Sequence, residues 1–319
     1  MSPDDAIKRV LAISVDGLNP GAIVKLGPTG APTFYRLMRE GAWTFNARTE
    51  RESTSTLPNH TGMMTGRRGD ARLRGHGVTF NEDNGKTVHQ AAGHYVSSVF
   101  DVVHDRGRHT AMFTEKEKFR FYQRTWNTYG APDRVGGDHG RAKIDRVTVD
   151  ENDDRLVAKL NAELRTAPRH FTFLHIALPD EAGHAHGFMG KEYIDAVRQT
   201  DRLLGTVLDT ITSRPVLRRQ LLVVLTADHG GNGVSHRKVT TLQNFRVPFM
   251  AWGPGVAAGK DLYALNPSFR SPGRTETTYS GMQPVRNGDL ANLVTDVLDF
   301  PRVPGSELNA QQRLNVFRR

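Results

Sequence analysis

Three carboxylates and three imidazoles stand just past apolar runs in this chain. Asp16 follows RVLAISV and precedes Gly17. Asp180 follows HFTFLHIALP, with His184 four residues on. Asp228 and His229 follow LLVVLTA, with His236 shortly after. A carboxylate at the mouth of a buried strand costs on the order of several kcal/mol unless a partner or a cation offsets it. The chain has no cysteine, so disulfides are excluded and a transition-metal site must use imidazole and carboxylate. Six such ligands are too many for one tetrahedral zinc. They suit two divalent ions, each with three protein ligands and room for substrate. Each pair alone reads as a turn or a local side-chain pair; the coincidence of three such ends points to a shared centre.

Two ions about 4 Å apart clamp the attacking and leaving oxygens in phosphoryl transfer. A nucleophile is then expected nearby, and ESTSTLPNHTGMMTG (52–66) supplies hydroxyls. Thr56 precedes Leu57-Pro58, and proline suits a first helical turn. That puts Thr56 near a helix N-terminus, where backbone N–H groups face a phosphate. Metal coordination can activate its hydroxyl. The plain alternative is an N-cap, a role that Ser53, Thr54 and Ser55 suit equally well.

The elements that must hold these groups follow from periodicity. Apolar runs at 9–17, 109–115, 170–180, 221–230 and 246–255 read as strands. Helical patterns lie at 31–41, 150–165, 191–213 and 287–300. Strands alternating with helices imply an α/β fold, with a mostly parallel central sheet and helices on both faces. In such sheets ligands bind beyond the carboxyl ends of the strands. Residues 1–319 read as one catalytic domain, with irregular excursions at about 116–149 and 257–286.

The formal charge is +9 before counting 13 His, which favours anionic partners. The densest basic cluster is RRGDARLR, with Arg67, Arg68, Arg72 and Arg74. No run approaches the ~18 apolar residues of a membrane span, and the N-terminus makes a poor signal peptide. The expectation is a cytoplasmic protein with a small-molecule partner, no membrane and no stable nucleic-acid complex.

The ordered motifs are Asp-Gly after the first strand, T-x-P-N-H before a helix, P-D-x-x-G-H, and D-H-G with a later His. Together they resemble the alkaline phosphatase superfamily, nearest the nucleotide pyrophosphatase/phosphodiesterase (type I phosphodiesterase) branch, over residues 9 to 256. The resemblance implies a three-layer sandwich and a phosphodiesterase acting through a covalent phosphothreonine. It puts Asp16, Asp228, His229 and Thr56 on one metal, and Asp180, His184 and His236 on the other. It puts Asn59 and the Leu57 N–H on a phosphate oxygen. It implies two divalent ions, zinc first by family habit and in agreement with the ligands, with manganese or iron as alternatives. The substrate would be a phosphate ester, a nucleotide among the options. Ser55 stands where many relatives have Lys, and His236 follows closer than is usual. A threonine nucleophile disfavours the sulfatase branch.

A phosphomonoesterase or phosphonate hydrolase on the same metals is the alternative. A monoesterase needs a further cation on the phosphate, a role open to the Arg67–Arg74 cluster. A non-catalytic anion- or nucleic-acid-binding protein is a more remote reading. His60 and His76 read as supports of the nucleophile helix and its loop, His175 as a core residue, and His186 as a residue that could face the pocket. Phe119, Phe121, Tyr122, Trp126 and Tyr129 read first as anchors of a loop.

Overall fold

The computed structural model describes residues 7–135 and 140–318. Eight strands form one sheet: β1 (Arg9–Val15), β2 (Ala42–Arg48), β3 (Thr110–Thr114), β4 (Arg146–Val149), β5 (Phe171–Ile176), β6 (Leu221–Thr226), β7 (Arg246–Trp252) and β8 (Lys260–Asp261). Their order is β4-β3-β5-β1-β6-β7-β2-β8. The first five are parallel, and β7 runs antiparallel to both its neighbours. Strands β3, β5 and β6 are buried along their whole length, as sheets covered on both faces require.

The apolar runs expected as strands are all present. Three strands had no such signal. In β2, AWTFNAR mixes polar and apolar residues and carries a register shift between Thr44 and Ala47. Strand β4 is a short, half-exposed edge, and β8 has only two residues. The 116–149 excursion holds a helical stretch through Thr128 and then β4; residues 136–139 lie outside the described set. The third expected strand ends sooner than its apolar run suggests. Pro179 and Asp180 belong to the helix Leu178–His186, because proline pre-sets a first helical turn. Among the described residues no helix is long and apolar enough to cross a membrane.

The helix Thr56–Thr65 is buried at every position. It packs against the segments Asn287–Asp289 and Leu290–Val297. The aromatics of the excursion support it from below. Tyr122 Oη donates to Leu57 O at 3.0 Å, and Trp126 Nε1 to Val96 O at 3.0 Å. Phe119, Phe121, Tyr122 and Trp126 are fully buried, whereas Tyr129 is exposed.

Asp289 accepts the Arg286 N–H at 2.9 Å beneath this helix. Burial raises its carboxyl from the usual 3.8 to about 7. The folded protein therefore holds a proton between about pH 4 and pH 7 that the unfolded chain has released. Stability from this group is greatest at the acid end and is lost as pH rises through 7. Asp289→Asn keeps an acceptor for Arg286 and removes the titration. Scanning calorimetry is expected to show the variant gaining at least about 3 °C on the parent between pH 5 and pH 8.

Candidate active site and metal centre

Strands β5, β1 and β6 are neighbours, and their carboxyl ends carry the six candidate ligands. Asp16 follows β1, and Asp228 and His229 follow β6. Asp180 and His184 sit one turn apart on the helix after β5. The turn after β1 needs its glycine. Gly17 has φ +68°, and a Cβ there would come within 3.0 Å of the Asp180 backbone. That close approach brings the first and third motifs together.

The six side chains form two groups. Asp16, Asp228 and His229 make one; Asp180, His184 and His236 make the other. His229 Nε2 lies 3.3 Å from Asp16 Oδ1 and 3.2 Å from Asp228 Oδ2. Asp180 Oδ1 lies 3.4 Å from His184 Nε2 and 3.7 Å from His236 Nε2. The groups touch: the His229 and His236 rings stack at 3.5 Å between centroids.

The hydrogen bonds around the histidines define what these atoms want. His229 Nδ1 faces Gly230 O at 2.8 Å, His184 Nδ1 faces Val234 O at 3.0 Å, and His236 Nδ1 faces Thr54 O. A carbonyl can only accept, so each Nδ1 carries the proton and each Nε2 presents a lone pair. Metal-binding imidazoles are oriented in this way. The Nε2 atoms of His184 and His236 are 3.0 Å apart, so two lone pairs meet, and His229 Nε2 meets two carboxylate oxygens. A cation between them turns repulsion into attraction.

The carboxylates repeat the pattern. Asp228 Oδ1 accepts N–H bonds from Gly17 and His229 at 3.1 and 2.9 Å. Asp16 Oδ2 accepts from Lys116 and faces His175 Nε2 at 3.0 Å; Asp180 Oδ2 accepts from Lys116. The other oxygen of each, Asp228 Oδ2, Asp16 Oδ1 and Asp180 Oδ1, is buried without a hydrogen bond, as is His229 Nε2. Donor separations of 3.2–3.7 Å match the edge of a tetrahedron with bonds near 2.0 Å, about 3.3 Å. The residues therefore fit two divalent cations.

Electrostatics agree. Burial pushes the Asp228 carboxyl well above its usual range, and the neighbouring Asp16 and Asp180 charges push it further. Burial also opposes ionisation of Asp16, yet Lys116 and His175 hold it well below the usual range. Burial lowers His229, and lowers His236 to about 3 with help from His229. Neutral imidazoles and concentrated carboxylate charge are what a cation site requires. A third group, His104, Asp105 and Asp133, differs: Asp105 is exposed, and neither Asp105 nor Asp133 has a buried oxygen without a hydrogen bond.

Thr56 is the first residue of its helix, and the N-cap position is Ser55, whose side chain makes no capping bond. Two of the neighbouring hydroxyls are engaged. Ser53 Oγ accepts from Ser55 N at 3.2 Å, and Thr54 Oγ1 donates to His236 O. Thr56 lines a cavity of about 330 Å³ with Asn81, Glu82, Lys116, Lys118, Asp180 and His184, among others.

Asn59 is placed differently from the role the resemblance gave it. Its Oδ1 accepts from Glu50 N and Asn287 Nδ2, and its Nδ2 donates to Ser53 O and Ser55 O. Both amide hydrogens are committed inside the protein. Asn81 stands at the cavity instead. Its Oδ1 accepts the Leu57 N–H at 3.0 Å, so the Leu57 amide is engaged too. Among the described residues the Asn81 amide hydrogens have no partner. Alanine at Asn81 is expected to lower kcat/KM for a phosphate ester by on the order of 10²-fold, with metal content by elemental analysis unchanged.

His60 supports the helix that begins at Thr56, facing Thr56 O at 2.7 Å and Ser14 Oγ at 2.8 Å. His76 pairs with Glu50 at 2.9 Å. His175 orients a ligand carboxylate. His186 is exposed and does not line the cavity. Nor does the Arg67–Arg74 cluster line it. Arg67 donates to Arg74 O and Pro304 O, Arg68 pairs with Glu307, and Arg72 with Asp70.

Comparison with known proteins places this geometry. Residues 10–280 match the family model for type I phosphodiesterase / nucleotide pyrophosphatase. Ectonucleotide pyrophosphatase/phosphodiesterase family member 1 of Mus musculus is 25% identical over 246 residues, covering 74% of this chain and 25% of the relative. GPI ethanolamine phosphate transferase 1 of Gibberella zeae is 26% identical over 272 residues, covering 80% of this chain and 25% of the relative. The aligned part is thus about a quarter of these relatives' length. Murine ectonucleotide pyrophosphatase/phosphodiesterase 5, solved in complex with AMP, superposes with a TM-score of 0.65 at 14% identity, covering 96% of this chain and 99% of that one. It shares the alkaline phosphatase-like fold. With the match covering residues 10–280, this chain belongs to the type I phosphodiesterase / nucleotide pyrophosphatase family.

Proposed function

We propose that the protein is a two-metal phosphoric ester hydrolase. It acts on phosphodiesters and nucleotide-like pyrophosphates through a covalent phosphothreonine at Thr56. The observation that supports this most is the set of buried, hydrogen-bond-free atoms on Asp16, Asp180, Asp228 and His229, in a cluster whose Asp180 lines the same cavity as Thr56. Zinc suits the ligand set best, and manganese or iron are the alternatives. Divalent cations held there supply Lewis-acid stabilisation of the negative charge on the attacking and leaving oxygens.

The chain's own residues do the rest. Asp16, Asp228 and His229 hold charge on the nucleophile side; Asp180, His184 and His236 hold it on the leaving-group side. Thr56 Oγ bonds to phosphorus as the bond to the leaving oxygen breaks, its proton passing through solvent to the departing group. The Asn81 amide steadies a non-bridging oxygen as charge shifts. Water then cleaves the phosphothreonine and restores the Thr56 hydroxyl.

The test is release of nitrophenol from bis(4-nitrophenyl) phosphate and from the 4-nitrophenyl ester of thymidine 5′-phosphate. Turnover is expected, lost on chelation and restored by zinc. No release from either ester by protein carrying two metals would overturn the proposal. Because relatives include a phosphoethanolamine transferase, the assay is repeated with ethanolamine added. A hydrolase yields the same phosphomonoester and nitrophenol in both cases, whereas a transferase would yield an ethanolamine phosphodiester.

A further inference from the structure

Along the chain the positive charge is scattered, which is why the sequence favours no nucleic-acid complex. The fold gathers much of that charge at one end. Strands β3, β5, β1 and β6 are parallel neighbours that start level: Arg9 pairs with Leu221, and Phe171 with Val10 and Thr110. Their carboxyl ends carry the ligand groups, and their amino ends carry cations. Lys8 and Arg9 open β1. Arg106 and Arg108 precede β3, Arg165 precedes β5, and Arg214, Arg218 and Arg219 precede β6.

These residues form one surface. The Lys8 N–H donates to Gln220 O at 2.9 Å and Arg9 Nη1 to Gln220 Oε1 at 2.9 Å, so β1 meets the segment that carries Arg218 and Arg219. Arg9 Nε donates to Pro168 O at 3.3 Å, and Arg214 Nη2 to Arg165 O at 3.2 Å. Lys8 and Arg108 line one cavity of about 160 Å³ with His170 and Phe300. The Arg106 guanidinium lies 5.4 Å from the Phe300 ring centroid. Three gaps of about 4.8 Å make the row from β3 to β6 about 14 Å wide.

The charge is not cancelled locally. Among the described residues none of these eight side chains forms an ion pair with a carboxylate. Glu163 lies between Arg146 and Arg169, at 3.1 and 2.7 Å, and Asp209 lies 3.6 Å from Arg36. Asp299, beside Phe300, is exposed and offsets one charge. Seven of the eight cations are arginines, whose planar forks match the two free oxygens of a phosphodiester. Docking on a membrane needs apolar wedges, and gripping single strands needs exposed aromatics for the bases. The exposed stretches 105–109, 165–167 and 213–216 contain no Phe, Tyr, Trp or Leu.

We propose that the amino end of the sheet docks on the phosphodiester backbone of a nucleic-acid duplex, without reading its sequence. Contacts of this kind go to phosphates and carry no base information. The metal centre, at the opposite end of the same strands, stays open to small esters. The inference stands apart from the reaction proposed above, because binding is read without turnover.

The test is fluorescence anisotropy of labelled duplexes of about 20 base pairs, DNA and RNA, against the whole protein over a range of NaCl. The expected Kd is about 1 μM at about 50 mM NaCl, and log Kd is expected to rise with log[NaCl] with a slope of about 4 to 5, as five cations meet phosphates. R218A/R219A is expected to weaken binding at least tenfold and to cut the slope by about 2; R108A, made separately, cuts it by about 1. Among the described residues the Arg218 and Arg219 side chains make no hydrogen bond, so their removal spares the fold, which circular dichroism checks. The control R72A/R270A removes two exposed arginines on other elements and is expected to stay within about twofold of the parent. Kd is expected to be the same with and without EDTA. Tighter binding of one duplex identifies which nucleic acid the surface takes. Failure to bind either duplex, an unchanged slope in both R218A/R219A and R108A, or equal weakening in the control overturns the proposal. So does binding that is lost in EDTA, tighter binding of a single strand of equal length, or capture of phosphatidylglycerol vesicles in place of the duplexes.

Discussion

Replacing Thr56 by alanine is expected to lower turnover of a phosphodiester by roughly 10⁴-fold or more, while the protein keeps its fold and two metals. The reason is positional. Thr56 opens a fully buried helix, so its backbone is fixed by the packing of Leu57, Met63 and Met64 and not by its hydroxyl. Among the described residues no hydrogen bond to that hydroxyl is lost on truncation. Two nearby hydroxyls are held elsewhere. Thr54 Oγ1 is bonded to His236 O, and Ser53 Oγ holds the Ser55 N–H. Serine in place of Thr56 restores a hydroxyl and is expected to recover most of the activity. The check is steady-state kinetics together with intact-mass trapping of the phosphorylated chain. Alanine retaining most of the parent rate would show that another group attacks.

The second large effect concerns Asp228. Asparagine there is expected to abolish tight binding of the metal shared with Asp16 and His229, and to lower turnover by at least about 10³-fold. Its two signs on stability are distinctive. Without added metal, Asp228 is a fully buried carboxylate facing two others, Asp16 and Asp180, and both raise the cost of its charge. Removing that charge is expected to raise the thermal midpoint of the metal-free protein. Adding zinc at a hundredfold excess over Kd stabilises the parent by about 2.7 kcal/mol per site. The variant is expected to gain no more than half as much as the parent with both sites filled. Calorimetry with and without zinc reads both effects, and equal zinc stabilisation of parent and variant would remove Asp228 from the site.

Much of this arrangement was legible from residue order. Buried parallel strands announce themselves as apolar runs, and β1, β5 and β6 carry them. A charged residue at the end of such a run is anomalous, and the anomaly pointed to the residues that the fold gathers into two groups, whereas their division between two ions came with the family resemblance. What escaped was set by tertiary contacts. The edge strand β4 and the two-residue β8 are too short for any periodicity. Asn59 and Asn81 are both asparagines near Thr56. Only the fold shows that the first is wedged between Glu50, Asn287, Ser53 and Ser55 while the second reaches the cavity. His175 read as an ordinary core residue because its partner Asp16 is 159 positions away. Lys116 was within reach: the strand-end rule applied to β3 as well would have flagged it.

The link between residue 54 and residue 236 runs both ways. The Thr54 carbonyl faces His236 Nδ1, and the Thr54 hydroxyl returns a bond to the His236 carbonyl. One residue, Ser55, separates Thr54 from Thr56. The loop that leads into Thr56 and the loop that carries His236 are therefore laced into a single mechanical piece, so neither can retreat without dragging the other out of register.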